Sequence, residues 1–136
     1  LRRPTTKKIS KTQHAWALGF RSGLEERIAD QLRENHVDFT YEKVKIKFTK
    51  PASNHTYTPD FVLSNGIIIE TKGRFLTADR QKHLLIKAQH PTMDLRFVFS
   101  NSNAKISKTS KTSYADWCDK HGFIYADKLV PLDWLK

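Results

Sequence analysis

The chain has 136 residues, enough for one domain with a sizeable core. Its 24 Lys+Arg against 14 Asp+Glu give a net charge of +10, which points to a polyanionic partner, nucleic acid first and an anionic membrane surface second. No apolar run approaches the roughly 20 residues that span a bilayer. No apolar segment follows the basic N-terminus to form a secretory signal. The single cysteine, Cys118, excludes an intrachain disulfide and a cysteine-based zinc site. A reducing, cytoplasmic setting is expected.

Residues 1–24 carry Arg2, Arg3, Lys7, Lys8, Lys11 and Arg21 before the first acid. Residues 1–18 read as a mobile basic arm that contacts phosphate by counterion release, and 19–136 as one domain. Ser22 and Glu25 have the spacing of a capping box, and Leu24, Ile28 and Leu32 make an amphipathic helix to about Asn35. Glu25 has two competing roles, closing that box or joining a metal site. Phe39 to Phe48 alternates Val44, Ile46 and Phe48 with Lys43, Lys45 and Lys47, which predicts a strand with one basic face. Asp38, Glu42 and the lysines read as solvated. Residues 52–58 read as a polar loop in which His55 has no assigned role.

Asp60 then opens the apolar run Phe61-Val62-Leu63. Asn65-Gly66 predicts a tight hairpin, with positive φ at both central positions, and Ile67-Ile68-Ile69 returns as a strand. Gly73 breaks that strand, and Arg74 follows as a further candidate DNA contact. Thr77 is expected to cap a second helix, with Leu84, Leu85 and Ala88 inward and Arg80, Lys82, His83 and Lys87 on a basic outer face. Leu95 to Phe99 reads as an interior strand. The loop Asn101–Thr112 carries Lys105, Lys108 and Lys111 and no acid, and suits a linker or a phosphate-tracking loop. Ser113 with Asp116 caps a third helix that ends at Gly122. Phe123-Ile124-Tyr125 is a last short strand, and Trp134 and Leu135 read as core. The fold class expected is α/β, a central mixed β-sheet flanked by helices.

The chemistry gathers at the hairpin. Alternation puts Glu70 and Lys72 on one face and Thr71 on the other, and the hairpin carries Asp60 to the same end. Two carboxylates suit Mg²⁺, which takes oxygen ligands and keeps several waters. The Thr71 carbonyl is a natural third oxygen. Lys72 can hold the attacking water or a phosphate oxygen and offset charge in the transition state. A second ion between Glu25 and Asp60 would complete a two-metal arrangement for displacement at phosphorus. The competing structural reading is an exposed Glu70–Lys72 pair of little worth to stability.

Pro59-Asp60 with Glu70-Thr71-Lys72 is the PD-(D/E)xK nuclease pattern. The stretches Phe20–Glu25, Pro51–Phe61 and Asn65–Gly73 resemble the phage endonuclease I family, the Holliday-junction resolvases of the T-seven type. Lys82–Ile86, Thr112–Tyr114 and Lys120–Gly122 continue the likeness, which covers roughly 19–136. The resemblance implies a PD-(D/E)xK core and a nuclease that cuts four-way junctions and other branched DNA. It implies Mg²⁺ or Mn²⁺, one or two ions per site, no organic cofactor, and 5′-phosphate ends. Its catalytic positions fall on Glu25, Asp60, Glu70 and Lys72. It also implies an intertwined homodimer bridged by a strand at about 41–50, in which Glu25 comes from one chain and the other three groups from its partner. The chain ends at Lys136, where the resemblance implies a further basic tail. Two other readings compete: a restriction-type, sequence-specific nuclease, and a non-catalytic junction-binding protein. The second leaves Asp60, Glu70 and Lys72 without a role.

Overall fold

The structure, a computed structural model, describes residues 22–50 and 53–136. The basic arm with Arg2, Arg3, Lys7, Lys8 and Lys11, and also Arg21, Pro51 and Ala52, lies outside the described residues. Helix α1 spans Gly23–Glu34. Strands β1 (Phe39–Tyr41), β2 (Ile46–Lys50), β3 (Ser53–Tyr57), β4 (Phe61–Leu63) and β5 (Ile68–Lys72) follow. Helix α2 (Thr77–Gln89), β6 (Leu95–Phe99), α3 (Tyr114–His121), β7 (Ile124–Asp127) and a 3₁₀ turn at Leu132–Leu135 complete the order. A five-stranded sheet runs β1-β4-β5-β6-β7, and β2 and β3 pair separately as a hairpin. The β1/β4 and β4/β5 pairs are antiparallel, and β5/β6 and β6/β7 are parallel. This is the mixed α/β sheet that the element order predicts. Among the described residues no helix is long and apolar enough to cross a membrane.

The sheet sorts its side chains by parity. Ile69 and Val98 face α1 with Phe61 and Leu63, over a core completed by Leu24, Ile28, Leu32, Val130 and Trp134. Ile68, Phe97 and Phe99 face the other way, into an aromatic core with Phe75, Tyr114, Trp117 and Phe123 beneath α2 and α3. Ser22 caps α1 by accepting from the Glu25 N–H at 3.1 Å. Its far end closes with Val37 N–H on Leu32 O and His36 N–H on Arg33 O, with His36 at φ 55°. That is a Schellman closure with histidine in the position glycine usually takes. Ser113 and Asp116 cap α3 reciprocally, and Gly122 ends it in the left-handed region at φ 74°.

Several local expectations are corrected. The run from Phe39 to Phe48 is two strands, because Glu42 adopts φ 52° and turns the chain between them. The stretch at 52–58 contains strand β3, not only loop. Four of its five side chains are exposed, so it lacks an apolar face to announce it. The hairpin at Asn65-Gly66 has a three-residue loop. Gly66 N–H bonds Leu63 O, and Leu63 N–H bonds Ile67 O at 2.9 Å, with positive φ at Gly66 alone. This is a type I turn closed by a glycine bulge, the next commonest solution after the two-residue turn. Helix α2 is capped at Leu76, one residue early, with Asp79 accepting from the Leu76 N–H. Its buried residues are Arg80, His83 and Ile86, whereas Leu84 and Leu85 are half-buried and Ala88 is exposed. Arg80 and His83 are therefore not part of a basic outer face. The loop 101–112 is held down by its own bonds. Ser102 N–H and Oγ both donate to Asp127, and Ile106 N–H bonds Thr112 O. Its lysines Lys105, Lys108 and Lys111 are exposed.

Candidate active site

Strand β4 stops at Phe61, opposite Ile69, so β5 runs on without a backbone partner on that edge. The next ladder position belongs to Pro59, which has no N–H to give. The Asp60 side chain takes the place of the ladder. Its Oδ2 accepts from Thr71 N–H at 2.9 Å and from Thr71 Oγ1 at 2.8 Å. A strand residue presents its N–H and C=O on the same edge, so the Thr71 carbonyl also faces this open side. Burial raises the Asp60 pKa; the two Thr71 bonds and Lys72 oppose the rise, and Glu42 adds to it.

The other face of β5 is enclosed. Glu70 is 5% exposed. Its Oε1 accepts from the Tyr57 hydroxyl at 2.7 Å, and its Oε2 lies 3.4 Å from Lys72 Nζ. Burial foremost, with the Asp60 charge second, pushes the Glu70 carboxyl up to about 7, against the pull of Lys72, Tyr57 and Lys82. Lys72 Nζ also lies 3.4 Å from Asp79 Oδ1 at the start of α2. Burial works against the Lys72 charge, but Glu70, Asp79 and Asp60 together outweigh it and raise its pKa. His83 is fully buried behind Glu70, 3.9 Å from Oε2. Burial first, then Lys72 and Lys82, holds its ring neutral, so that contact is not an ion pair.

Glu25, on the first turn of α1, is 7% exposed and accepts from the Tyr41 hydroxyl. Glu25, Glu42 and Asp60 each bring one carboxylate oxygen within 4.8 Å of the others. With Glu70, Thr71, Lys72, Lys45 and Lys82 they line one cleft of about 330 Å³. Lys45 Nζ is fixed at the rim by a bond of 3.1 Å to Thr58 Oγ1. A concentration of carboxylate oxygens at the floor and lysines at the rim suits a hard divalent cation beneath a phosphate.

A family model described as phage endonuclease I matches residues 6–136. The chain belongs to the phage endonuclease I family. Endonuclease I of Escherichia phage T7 is 55% identical over 117 residues, covering 86% of this chain and 78% of that protein. Endodeoxyribonuclease 1 of Enterobacteria phage T3 is 53% identical over the same length, 86% of this chain and 77% of its own.

In this endonuclease I family member the four expected catalytic groups, Glu25, Asp60, Glu70 and Lys72, line the same cleft, with Thr71 beside them. One chain supplies all of them here. Arg74 is exposed just beyond β5, on the same run as Lys72. Lys105, Lys108 and Lys111 are on a separate loop and do not line the cleft. Sequence reasoning missed Glu42, Tyr57, Lys45, Lys82 and His83. Glu42 shares parity with Val44, Ile46 and Phe48, but its left-handed backbone at φ 52° breaks the alternation, so parity did not mark it. Tyr57 was hidden because β3 is otherwise polar and exposed.

Proposed function

We propose that this chain is a divalent-metal-dependent DNA endonuclease that resolves four-way junctions and other branched DNA. The observation that carries the reading is the convergence of Glu25, Glu42, Asp60, Glu70 and Lys72 in one lysine-rimmed cleft, in a member of the phage endonuclease I family. The DNA-cutting part follows from the family and its two phage relatives. The net charge of +10 supports a polyanionic substrate.

The donor set fits Mg²⁺ or Mn²⁺, since every candidate ligand is a hard oxygen. Asp60, Glu70 and the Thr71 carbonyl would hold one ion, and Glu25, Glu42 and Asp60 a second. Bound there, the metal would polarise the phosphate and lower the pKa of a bound water. The Lys72 ammonium would donate to the attacking water or to a non-bridging phosphate oxygen, and Glu70, Asp79 and Asp60 favour its charged form. Lys45 and Lys82 at the rim suit the flanking phosphates. The water oxygen bonds to phosphorus as the P–O3′ bond breaks. A proton passes to the leaving oxygen, giving a 3′-hydroxyl and a 5′-phosphate.

The reading extends to an intertwined homodimer working in the host-cell cytoplasm. Opening the β2–β3 hairpin and pairing it with a second copy would keep the composition of each cleft and change which chain supplies Glu25. Two such clefts suit a substrate nicked on two strands. The test is a labelled four-way junction compared with a linear duplex of the same sequence, with and without Mg²⁺. Junction nicking only with metal is expected. Equal cutting of the duplex at one sequence would favour a restriction-type enzyme. Junction binding without cutting in any divalent ion would favour a non-catalytic binder.

A further inference from the structure

Glu70 lies in the middle of β5, and the terminal torsion of a glutamate is broad, so nothing in the backbone fixes the plane of its carboxylate. What fixes it is Tyr57. The Tyr57 hydroxyl donates to Oε1 at 2.7 Å in a fully buried bond, which leaves Oε2 on the side of Lys72. The tyrosine is itself held. It is 2% exposed, stands edge-on to the His83 ring at 5.2 Å between centroids, and carries Lys82 Nζ over its face at 5.4 Å. It is the last paired residue of β3, opposite Ile46 of β2.

We propose that Tyr57 is a positioning residue for catalysis, orienting the Glu70 carboxylate for the metal from the β2–β3 hairpin. The proposal rests on the metal-dependent nuclease reading above. Two points bear on it. A carboxylate offered to a cation is commonly anchored through its other oxygen by a donor. And the second glutamate of the cleft, Glu25, takes the Tyr41 hydroxyl in the same way.

The test is Tyr57→Phe, which keeps the ring and its packing and removes only the hydroxyl. Mn²⁺ binding is measured by calorimetry on DNA-free protein. Junction affinity is measured in EDTA, and cleavage is followed against Mn²⁺ concentration. The expected result is Mn²⁺ affinity lower by roughly 10-fold, unchanged junction affinity, and a cleavage rate that recovers as Mn²⁺ is raised. Wild-type Mn²⁺ affinity and wild-type metal dependence in Tyr57→Phe would overturn the proposal. So would a loss confined to thermal stability or junction affinity, which is what a purely structural tyrosine would produce. If instead the wild-type protein neither binds Mn²⁺ nor cuts with it, the nuclease reading fails first, and the two failures are told apart.

Discussion

On one face of β5, Asp60 leans on Thr71, and Glu25 and Glu42 each bring a carboxylate oxygen within 4.8 Å of it. On the other face, Glu70 and Lys72 are enclosed by Tyr57, Asp79 and His83, and each charged atom has a partner within 3.4 Å. The first arrangement brings three carboxylates together, and like charges at that spacing disfavour one another. The second compensates charge inside the protein and fixes geometry. A single strand thus separates a cluster of three carboxylates from a carboxylate and an ammonium held in register.

Substitutions should divide along that line. Asp60→Ala, in the carboxylate cluster, and Lys72→Ala, on the enclosed face, carry the largest effect. Cleavage of a four-way junction is expected to fall on the order of 10³-fold or more, with binding in EDTA retained. Wild-type-like cutting by Asp60→Ala would break the site assignment. Glu25→Gln and Glu42→Gln lie in the three-carboxylate cluster. Each should lower the rate by roughly 10–100-fold and shift the Mg²⁺ dependence to higher concentration. An unchanged Mg²⁺ curve for Glu42→Gln would remove that residue from the site.

The smallest effect tests the enclosed face through pH. Glu70 is raised from 4.5 to about 7 in the folded protein. The folded state therefore holds this proton more tightly than the unfolded one. That contribution to stability is fully present below about pH 4.5 and is lost as pH rises through about 7. Glu70→Gln removes it. In EDTA, the melting temperature of the variant relative to wild type should rise between pH 5 and pH 8. A difference that does not change with pH would show that Glu70 is not the strained group of the metal-free site.

How far the sequence foretold this division depends on how local each signal was. Asp60, Glu70 and Lys72 were legible because one short hairpin and strand alternation suffice to bring them together. The sorting of Ile68 from Ile69, and of Phe97 and Phe99 from Val98, follows the same rule. Glu42 was not legible as a site residue. Its backbone turns into the left-handed region, and its approach to Glu25 depends on how α1 packs across the sheet. The inner face of α2 was misread because its buried positions include Arg80 and His83, polar residues that periodicity assigns to water. His83 is buried behind Glu70, and Arg80 is buried against the Phe75 carbonyl and the Thr77 hydroxyl at the start of α2. Asp79 sits in the acidic first turn of α2. Its contact with Lys72 needed the chain to fold back at Gly73 before it could be seen.

The central claim is that the two faces of β5 meet in one divalent-metal cleft. The most direct measurement is an anomalous-scattering map from crystals of this protein grown with Mn²⁺. The expected result is Mn²⁺ bounded by the Asp60 carboxylate, with Glu70 and Thr71 on one side or Glu25 and Glu42 on the other. A cleft free of Mn²⁺ at saturating concentration would contradict the account.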